Sequence, residues 1–310
     1  MALTLVESAK IALGRDEIAK ATMMELYAKS SDVINALRFE NITGNALKFN
    51  REKTLPGAGF RGVNEGYTES TGEVEAIIES LTIAGGDLDV DKFLVDTGGP
   101  DQRTTQETLK VKALAAAMTK NIVKGSVITD AKSFDGLQVR LTGDQLIAAG
   151  STANGTPLSL TKLDELIDAV DDATHLIMNK QMRRRLIAAS RNSAIGGDIQ
   201  FDLNNWGARF TTFNGLPILI ADKDEEYAEI MPFTEACTSG TSTGTSIYCL
   251  SITDDGTMGL QNGDMDVRDL GELDTKPVYR TRIEWYITLA ILRQRSAARL
   301  WSISDAAVTA

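Results

Sequence analysis

Residues able to carry chemistry are scarce in this chain. It has a single histidine, His175, and two cysteines, Cys237 and Cys249, among 310 residues. One histidine allows a Ser-His-Asp or Cys-His arrangement in only one place, and His175 lies in an apolar stretch, THLIMN, that reads as a strand with a packed or edge histidine. Two cysteines around a Ser/Thr/Gly tract are too few for a disulfide scaffold in so long a chain and read as reduced thiols. No apolar run approaches the roughly 18–20 residues of a membrane-spanning helix. The first residues, with Glu7 and Lys10, lack the basic leader and apolar core of a secretory signal. Excess positive charge is missing too. Lys and Arg number 32 against 43 Asp and Glu, a net charge of -11, which speaks against a broad phosphate-gripping surface but not against a protein that encloses nucleic acid.

The familiar ligand loops are all incomplete. Gly150-Ser-Thr-Ala-Asn-Gly155-Thr lacks the lysine of a phosphate loop, and no GxGxxG joins a strand to a helix. Asp87, Asp89 and Asp91 begin like a calcium loop, but Lys92 stands where glycine is needed and Gly98 where a bidentate glutamate is needed. They read as alternating acids on the solvent face of a strand. Asp264, Asp266 and Asp269 read as a solvated turn, with a weak cation site near Asp264 and Asp266 as the alternative. Arg183, Arg184 and Arg185, with Lys180 and Arg191, form the densest basic cluster. Three consecutive helical residues splay over about 200°, so the cluster reads either as a solvated, salt-bridged helix or as a contact with nucleic acid or a neighbouring subunit. No catalytic residue, cofactor or metal ligand is assigned.

What the chain does contain is long elements and long connections. Its length is comfortable for two cores. Residues 1–44 read as a helical arm, with Leu3, Val6 and Ala9 at helical spacing, a break at Gly14, and Asp16 and Glu17 at the start of a second helix. The arm is too thin to be a domain and needs a surface to lie on. Alternation in NALKFNR at 45–51 and again from Glu73 to Ala84 predicts two strands, separated by about twenty residues rich in glycine. This flap, 45–84, carries interleaved charges at Arg51, Lys53, Arg61, Glu65 and Glu69. An isolated hairpin is marginal in water, so contacts with other chains are expected to hold it.

After Pro100, residues 101–124 predict a helix of roughly 35 Å with Val111, Leu114, Met118 and Ile122 in a stripe and Gly125 as its stop. The middle third reads as a separate α/β unit. A helix capped by Thr161 runs through Asp172, a strand spans His175 to Met178, and Asn179 caps a helix to about Arg191. A buried strand follows at 215–221, and 238–246 reads as a solvated loop. From Val278 to Leu292 strict alternation predicts one strand of roughly 45 Å, longer than a single compact core requires.

This order of parts resembles the major capsid proteins of tailed bacteriophages. NALKFNREKTLPGAGFRGVNEGYTES at 45–70 is similar to the extended loop of a subgroup, and SFDGLQ at 133–138 to the segment after the spine helix. HLIMNKQMRRRL at 175–186 and NGLPILIADKD at 214–224 resemble the axial domain, and RIEWYITLAILRQRSAARL at 282–300 the long strand and turn of the peripheral domain. The resemblance implies an α+β, Hong Kong 97-type fold: arm 1–44, extended β-hairpin 45–84, peripheral domain 85–149 and 268–310, and inserted axial domain 150–267. It further implies pentamers and hexamers tiling an icosahedral shell around double-stranded DNA, assembled in the host cytoplasm and residing in the virion. Scaffolding, portal and decoration proteins are the partners it implies, without a membrane and without sequence-specific DNA binding. Some relatives crosslink through a loop lysine. Lys48 and Lys53 lie in the corresponding loop, but no motif matches such a site. Rival readings are an encapsulin-like nanocompartment and a tail or baseplate protein. A hydrolase relying on His175 is the enzymatic alternative.

Overall fold

The computed structural model describes residues 3–13, 18–98, 101–191, 199–203, 209–238 and 240–309. Gly14, Asp16, Glu17 and Pro100 lie outside the described residues. The chain opens with β1 (Leu3–Thr4), α1 (Leu5–Leu13), α2 (Ile18–Ser30), α3 (Asp32–Ala36) and β2 (Arg38–Asn41). Strands β3 (Ala46–Thr54), β4 (Glu73–Ser80) and β5 (Thr82–Asp91) lead to α4 (Lys92–Gly98), the long α5 (Asp101–Lys124) and the single turn α6 (Leu137–Arg140). The middle comprises β6 (Leu146–Ala148), α7 (Leu160–Asp168), β7 (His175–Met178), α8 (Lys180–Ser190), β8 (Ile199–Leu203), β9 (Arg209–Phe213), β10 (Leu216–Ile220) and β11 (Thr245–Leu250). The chain closes with β12 (Thr257–Gln261), β13 (Asp266–Glu272), β14 (Val278–Ile291) and β15 (Ala297–Ile303).

Strand β14 organises the first sheet. All ten residues of β5 pair along one edge of it, while β12 and β13 follow one another along the other. Its alternation has the expected consequence. Ile283, Trp285, Ile287, Leu289 and Ile291 face the main core, whereas Arg280, Arg282 and Glu284 share the opposite face. On that face Arg280 grips Asp89 and Arg282 grips Asp87 through two N–H···O bonds each, at 2.6 to 2.8 Å. The hydrogen bonds from Arg282 hold the Asp87 carboxyl below the usual carboxylate range despite a small opposing effect of burial. Asp87 and Asp89 of DLDVD are thus partners of arginines across the strand pair, while Asp91 accepts from Phe93 N at 2.8 Å.

The second sheet has the order β6-β15-β11-β7-β10-β9-β8. Alternation again assigns the faces: Leu176, Met178, Ile247 and Cys249 pack under α7 and α8, while Ile177, Tyr248 and Leu250 join the main core. Both faces being covered explains why Leu176–Met178 of β7 and Ile247–Leu250 of β11 are apolar without interruption. Sheet membership cuts differently from the boundaries read off the sequence. β15 belongs to the second sheet although it follows position 268, and β12 to the first although it precedes it. Helix α7 begins at Leu160 and ends at Asp168, so Thr161 lies inside its first turn and Ser159 takes the N-cap position. Asn179 does cap α8, its Oδ1 accepting from Met182 N at 2.6 Å. The loop after 238 ends early, because Thr245 and Ser246 are fully buried in β11.

Helix α5 spans 24 residues, about 36 Å, and buries Val111, Ala115, Met118 and Ile122. The surface that the arm needs lies within the chain. Leu5, Ala9, Tyr27, Val33, Ile34, Leu37 and Phe39 are buried in the same cluster as the α5 stripe and Trp285. Tyr27 Oη donates to Leu114 O at 3.1 Å and Thr119 Oγ1 to Ser31 Oγ at 2.7 Å. β2 even joins the first sheet as the parallel neighbour of β12. There Gly259 lets Phe39 lie on the backbone: a Cβ at that position would sit 2.3 Å from the Phe39 ring. The surface on which the arm lies is therefore its own chain's spine helix and long strand. Apolar area is buried equally well against either, and the local one is always present.

Candidate functional site

From residue 45 to residue 80 no side chain of the hairpin is fully buried. β3 and β4 form a separate two-stranded sheet, Ala46 opposite Ser80 through Thr54 opposite Glu73. At about 3.3 Å per residue, the nine residues of β3 reach roughly 30 Å. The single strand expected from Glu73 to Ala84 is interrupted at Leu81, whose N–H donates to Asn45 O at 2.8 Å. β4 thereby stays with the hairpin while β5 turns onto β14. Leu81, Leu47 and Ile42 pack on a small cluster of Met258, Leu260 and Ala290, which roots the hairpin.

Four of the five charges singled out in the sequence, Arg51, Lys53, Arg61 and Glu65, find partners within the hairpin. Arg51 pairs with Glu75 at 3.1 Å and Lys53 with Glu73 at 3.1 Å, neighbours across the strands. At the tip Arg61 Nη1 donates to Glu65 O at 3.2 Å and its guanidinium lies 5.4 Å from the Tyr67 ring centre. The Gly62 N–H donates to Glu65 Oε2 at 2.8 Å, and Ser70 Oγ to Gly57 O at 2.8 Å. Glu69 is exposed. The tip is shaped, but by its own residues.

What remains open is apolar. Leu55, Phe60, Val63 and Tyr67 of the tip are 77%, 110%, 92% and 69% exposed. Along β4, Val74 and Ile78 are also exposed, on the face they share with Ala76 by alternation. Large apolar side chains exposed together on one projecting loop mark an interaction site, and a lone two-stranded ribbon needs a surface to cover it. The sequence reading weighted the charges of this loop. The stronger signal was its spaced large apolar residues among glycines, invisible as a surface until their exposure is known. The body also exposes Phe93 and Leu94 of α4, Leu109 on the neighbouring α5, and Ile128 after α5.

The other candidates are explained by packing. Arg183, Arg184 and Arg185 diverge: Arg185 holds Asp305 at 2.8 Å, Arg184 is exposed, and Arg183 turns to a polar cleft shared with Asp32, Lys180 and Asp222. Asp266 pairs with Arg268 at 2.8 Å, Asp269 with Arg103 at 2.7 Å, and Asp264 accepts from Gln261 at 3.4 Å. Among the described residues no group of three His, Cys, Asp or Glu is placed to hold a metal ion, and no helix is long and apolar enough to cross a membrane. Both cysteines are buried and unpaired with one another, and burial pushes the Cys249 thiol up to about 12. Glu235 is buried between Lys124 of α5 and Arg299 of β15, at 2.8 and 3.0 Å. Burial alone raises its pKa, but the two cations and the Ser246 hydroxyl outweigh it and hold the carboxyl below its ordinary value. This ties the end of the spine to the second sheet.

His175 sits at the start of β7, partly buried, with Nδ1 2.9 Å from Thr174 Oγ1. Burial, aided by the charge of Arg38, depresses it from 6.5 to about 4. The folded state then binds fewer protons than the unfolded one between those two pH values, so stability falls as pH drops from about 6.5 towards about 4. Denaturant unfolding at several pH values is expected to show that slope and to show it flattened in His175→Phe. An unchanged slope in the variant would place the pH dependence elsewhere.

Residues 15–165, covering the hairpin and α5, match the family model described as major capsid protein GP7. No curated protein matches the chain. Among solved structures the chain is similar to the holo-SrpI encapsulin complex from Synechococcus elongatus PCC 7942, with a TM-score of 0.64 at 17% identity over 90% of this chain and 89% of that one. It is similar to the capsid of the native GTA particle, with a TM-score of 0.62 at 14% identity over 89% and 91%. A chain from Microbacterium phage Oxtober96 gives a TM-score of 0.60 at 13% identity over 87% and 90%. These likenesses establish the Hong Kong 97-type fold across nearly the whole chain. With a spine helix, a long strand and a projecting hairpin, the chain shares the fold of these phage capsid and encapsulin shells across nearly its whole length, and over residues 15–165, just under half of it, it matches the major capsid protein family model.

Proposed function

We propose that copies of this chain assemble as pentamers and hexamers into a closed icosahedral shell around double-stranded DNA, forming the capsid of a virion. The observation that carries the reading is the apolar tip at Leu55, Phe60, Val63 and Tyr67, exposed at the end of a hairpin in which Arg51 and Lys53 are paired with Glu75 and Glu73. A surface of this chemistry is covered by another copy, and repetition around closed symmetry turns a moderate contact into a stable assembly. Arg51, Lys53, Arg61, Glu65 and Glu69 then shape and flank the contact. The exposed Arg184 is available to a neighbouring subunit or to the packaged nucleic acid. A net charge of -11 suits a wall that encloses DNA without gripping it in a sequence-specific way. A scaffolding protein, a portal protein and a decoration protein complete the proposed set of partners, with assembly in the host cytoplasm.

The fold shared with the SrpI encapsulin complex favours one second reading, a shell enclosing protein cargo. Electron microscopy of purified particles, with nuclease protection and protein analysis of their contents, separates the two. Closed shells holding double-stranded DNA are expected. Shells holding only protein would support the nanocompartment, and tubes or rings would point to a tail or baseplate role.

A further inference from the structure

The hairpin leaves the body through a short root, and one side-chain contact there reaches outside the apolar cluster. Arg140, the last residue of α6, presents both terminal nitrogens to Glu79 of β4, Nη1 to Oε1 and Nη2 to Oε2, the second at 2.8 Å. Its Nε donates to Asp135 O at 2.5 Å. The guanidinium is therefore held on both its edges, and the two side chains are only 16% and 12% exposed. Of the hairpin's charge pairs this one is shielded. In Arg51–Glu75 and Lys53–Glu73 at least one partner is more than half exposed, where ion pairs contribute little.

Arg140 is itself referenced to the spine. The Gly136 N–H donates to Gly125 O at 2.8 Å, and Arg140 N to Gly136 O at 3.1 Å. A Cβ on Gly136 would lie 2.4 Å from Asn121 O, so α6 starts pressed against the last turn of α5. Asp135, which supplies the carbonyl for Nε, also accepts from Val127 N at 2.9 Å and so stiffens the same turn. A continuous set of contacts runs from α5 through Gly136 and Arg140 to Glu79, opposite Leu47 in the hairpin register. An apolar root resists extraction but tolerates sliding and tilting. A two-pronged guanidinium–carboxylate pair has a required plane and direction.

We infer that the Arg140–Glu79 fork is the positioning element that sets the direction in which the hairpin leaves the body, and through it where the tip meets the next copy. The consequence for assembly rests on the reading of the hairpin as the inter-subunit clamp; the positioning itself does not. The test uses the full chain with spin labels at Ala58→Cys in the tip and Lys112→Cys on α5, both exposed, while the two native cysteines are buried. In dissociated wild-type subunits a single narrow distance is expected. Arg140→Gln and Glu79→Gln should broaden and shift it. Arg140→Lys should broaden it as well, because an ammonium keeps the charge but cannot hold Glu79 and Asp135 O in one plane. The same variants should raise the concentration needed for assembly roughly tenfold, the equivalent of 1.4 kcal/mol per contact. Glu79→Gln leaves the bond to Asp135 O in place and provides the reading if Arg140→Gln does not fold. Unchanged distances in the Gln variants, or a distribution in Arg140→Lys as narrow as wild type, would overturn the inference. A broadened hairpin with unaltered assembly would uphold the positioning role and refute the hairpin as clamp.

Discussion

Deleting residues 54–68 is expected to leave a folded subunit that no longer forms shells. The deleted stretch contributes no residue to any of the three buried clusters, and the Arg140–Glu79 contact and the Leu47–Leu81 root lie outside it. Residues 69–72 remain to connect β3 with β4. Unfolding free energy should therefore change by no more than about 0.5 kcal/mol, as for surface changes generally. The loss falls on association. Leu55, Phe60, Val63 and Tyr67 go with the tip, and each large apolar side chain buried is worth about 1.5–3 kcal/mol. Losing even half of that contact raises the concentration needed for assembly more than roughly 100-fold. Sedimentation velocity beside thermal unfolding checks both halves. Shells of normal size from the deleted protein would sink the assignment of the hairpin.

The second large effect concerns the joint between arm and long strand. Trp285→Ala should cost about 3–5 kcal/mol. Trp285 is 2% exposed at the centre of β14, with Phe39 at 4.9 Å and Tyr27 edge-on at 5.7 Å between ring centres. Its Nε1 donates to Gln261 Oε1 at 2.9 Å, and Gln261 is itself buried. Truncation opens a cavity under two arm residues and strands a buried amide oxygen. Hydrogen exchange should consequently rise first in the segments around Tyr27 and Phe39, ahead of the second sheet. Trp285→Phe, which fills part of the space, should cost less. A denaturation midpoint indistinguishable from wild type would show that the arm and strand are held by something else.

The expectations that held share a property: the information was local. Alternation over 278–292 needs only neighbouring residues to declare a strand, and the 101–124 stripe likewise declares a helix, so both elements came out at nearly their observed bounds. The expectations that failed depended on partners distant in sequence. Residues 73–84 alternate throughout, yet they divide at Leu81 because one half pairs with β3 and the other with β14, more than two hundred residues on. β15 continues directly from the β14 turn but pairs with β11 and β6, which no composition of its own announces. The arm looked too thin to bury itself, since the ring that receives Tyr27 and Phe39 belongs to Trp285 at the other end of the chain.

The candidate site divides in the same way. A glycine-punctuated loop between two alternating segments announces a projecting hairpin. Which of its residues face outward was decided only by folding, as the charges close on each other and leave Phe60 and Val63 in the open. The fork at the root brings together residues 61 positions apart. Periodicity along a chain records which face of an element is apolar; it carries no record of which other element will meet that face. That choice is made by the whole chain at once, when buried area and satisfied polar groups are balanced across every contact.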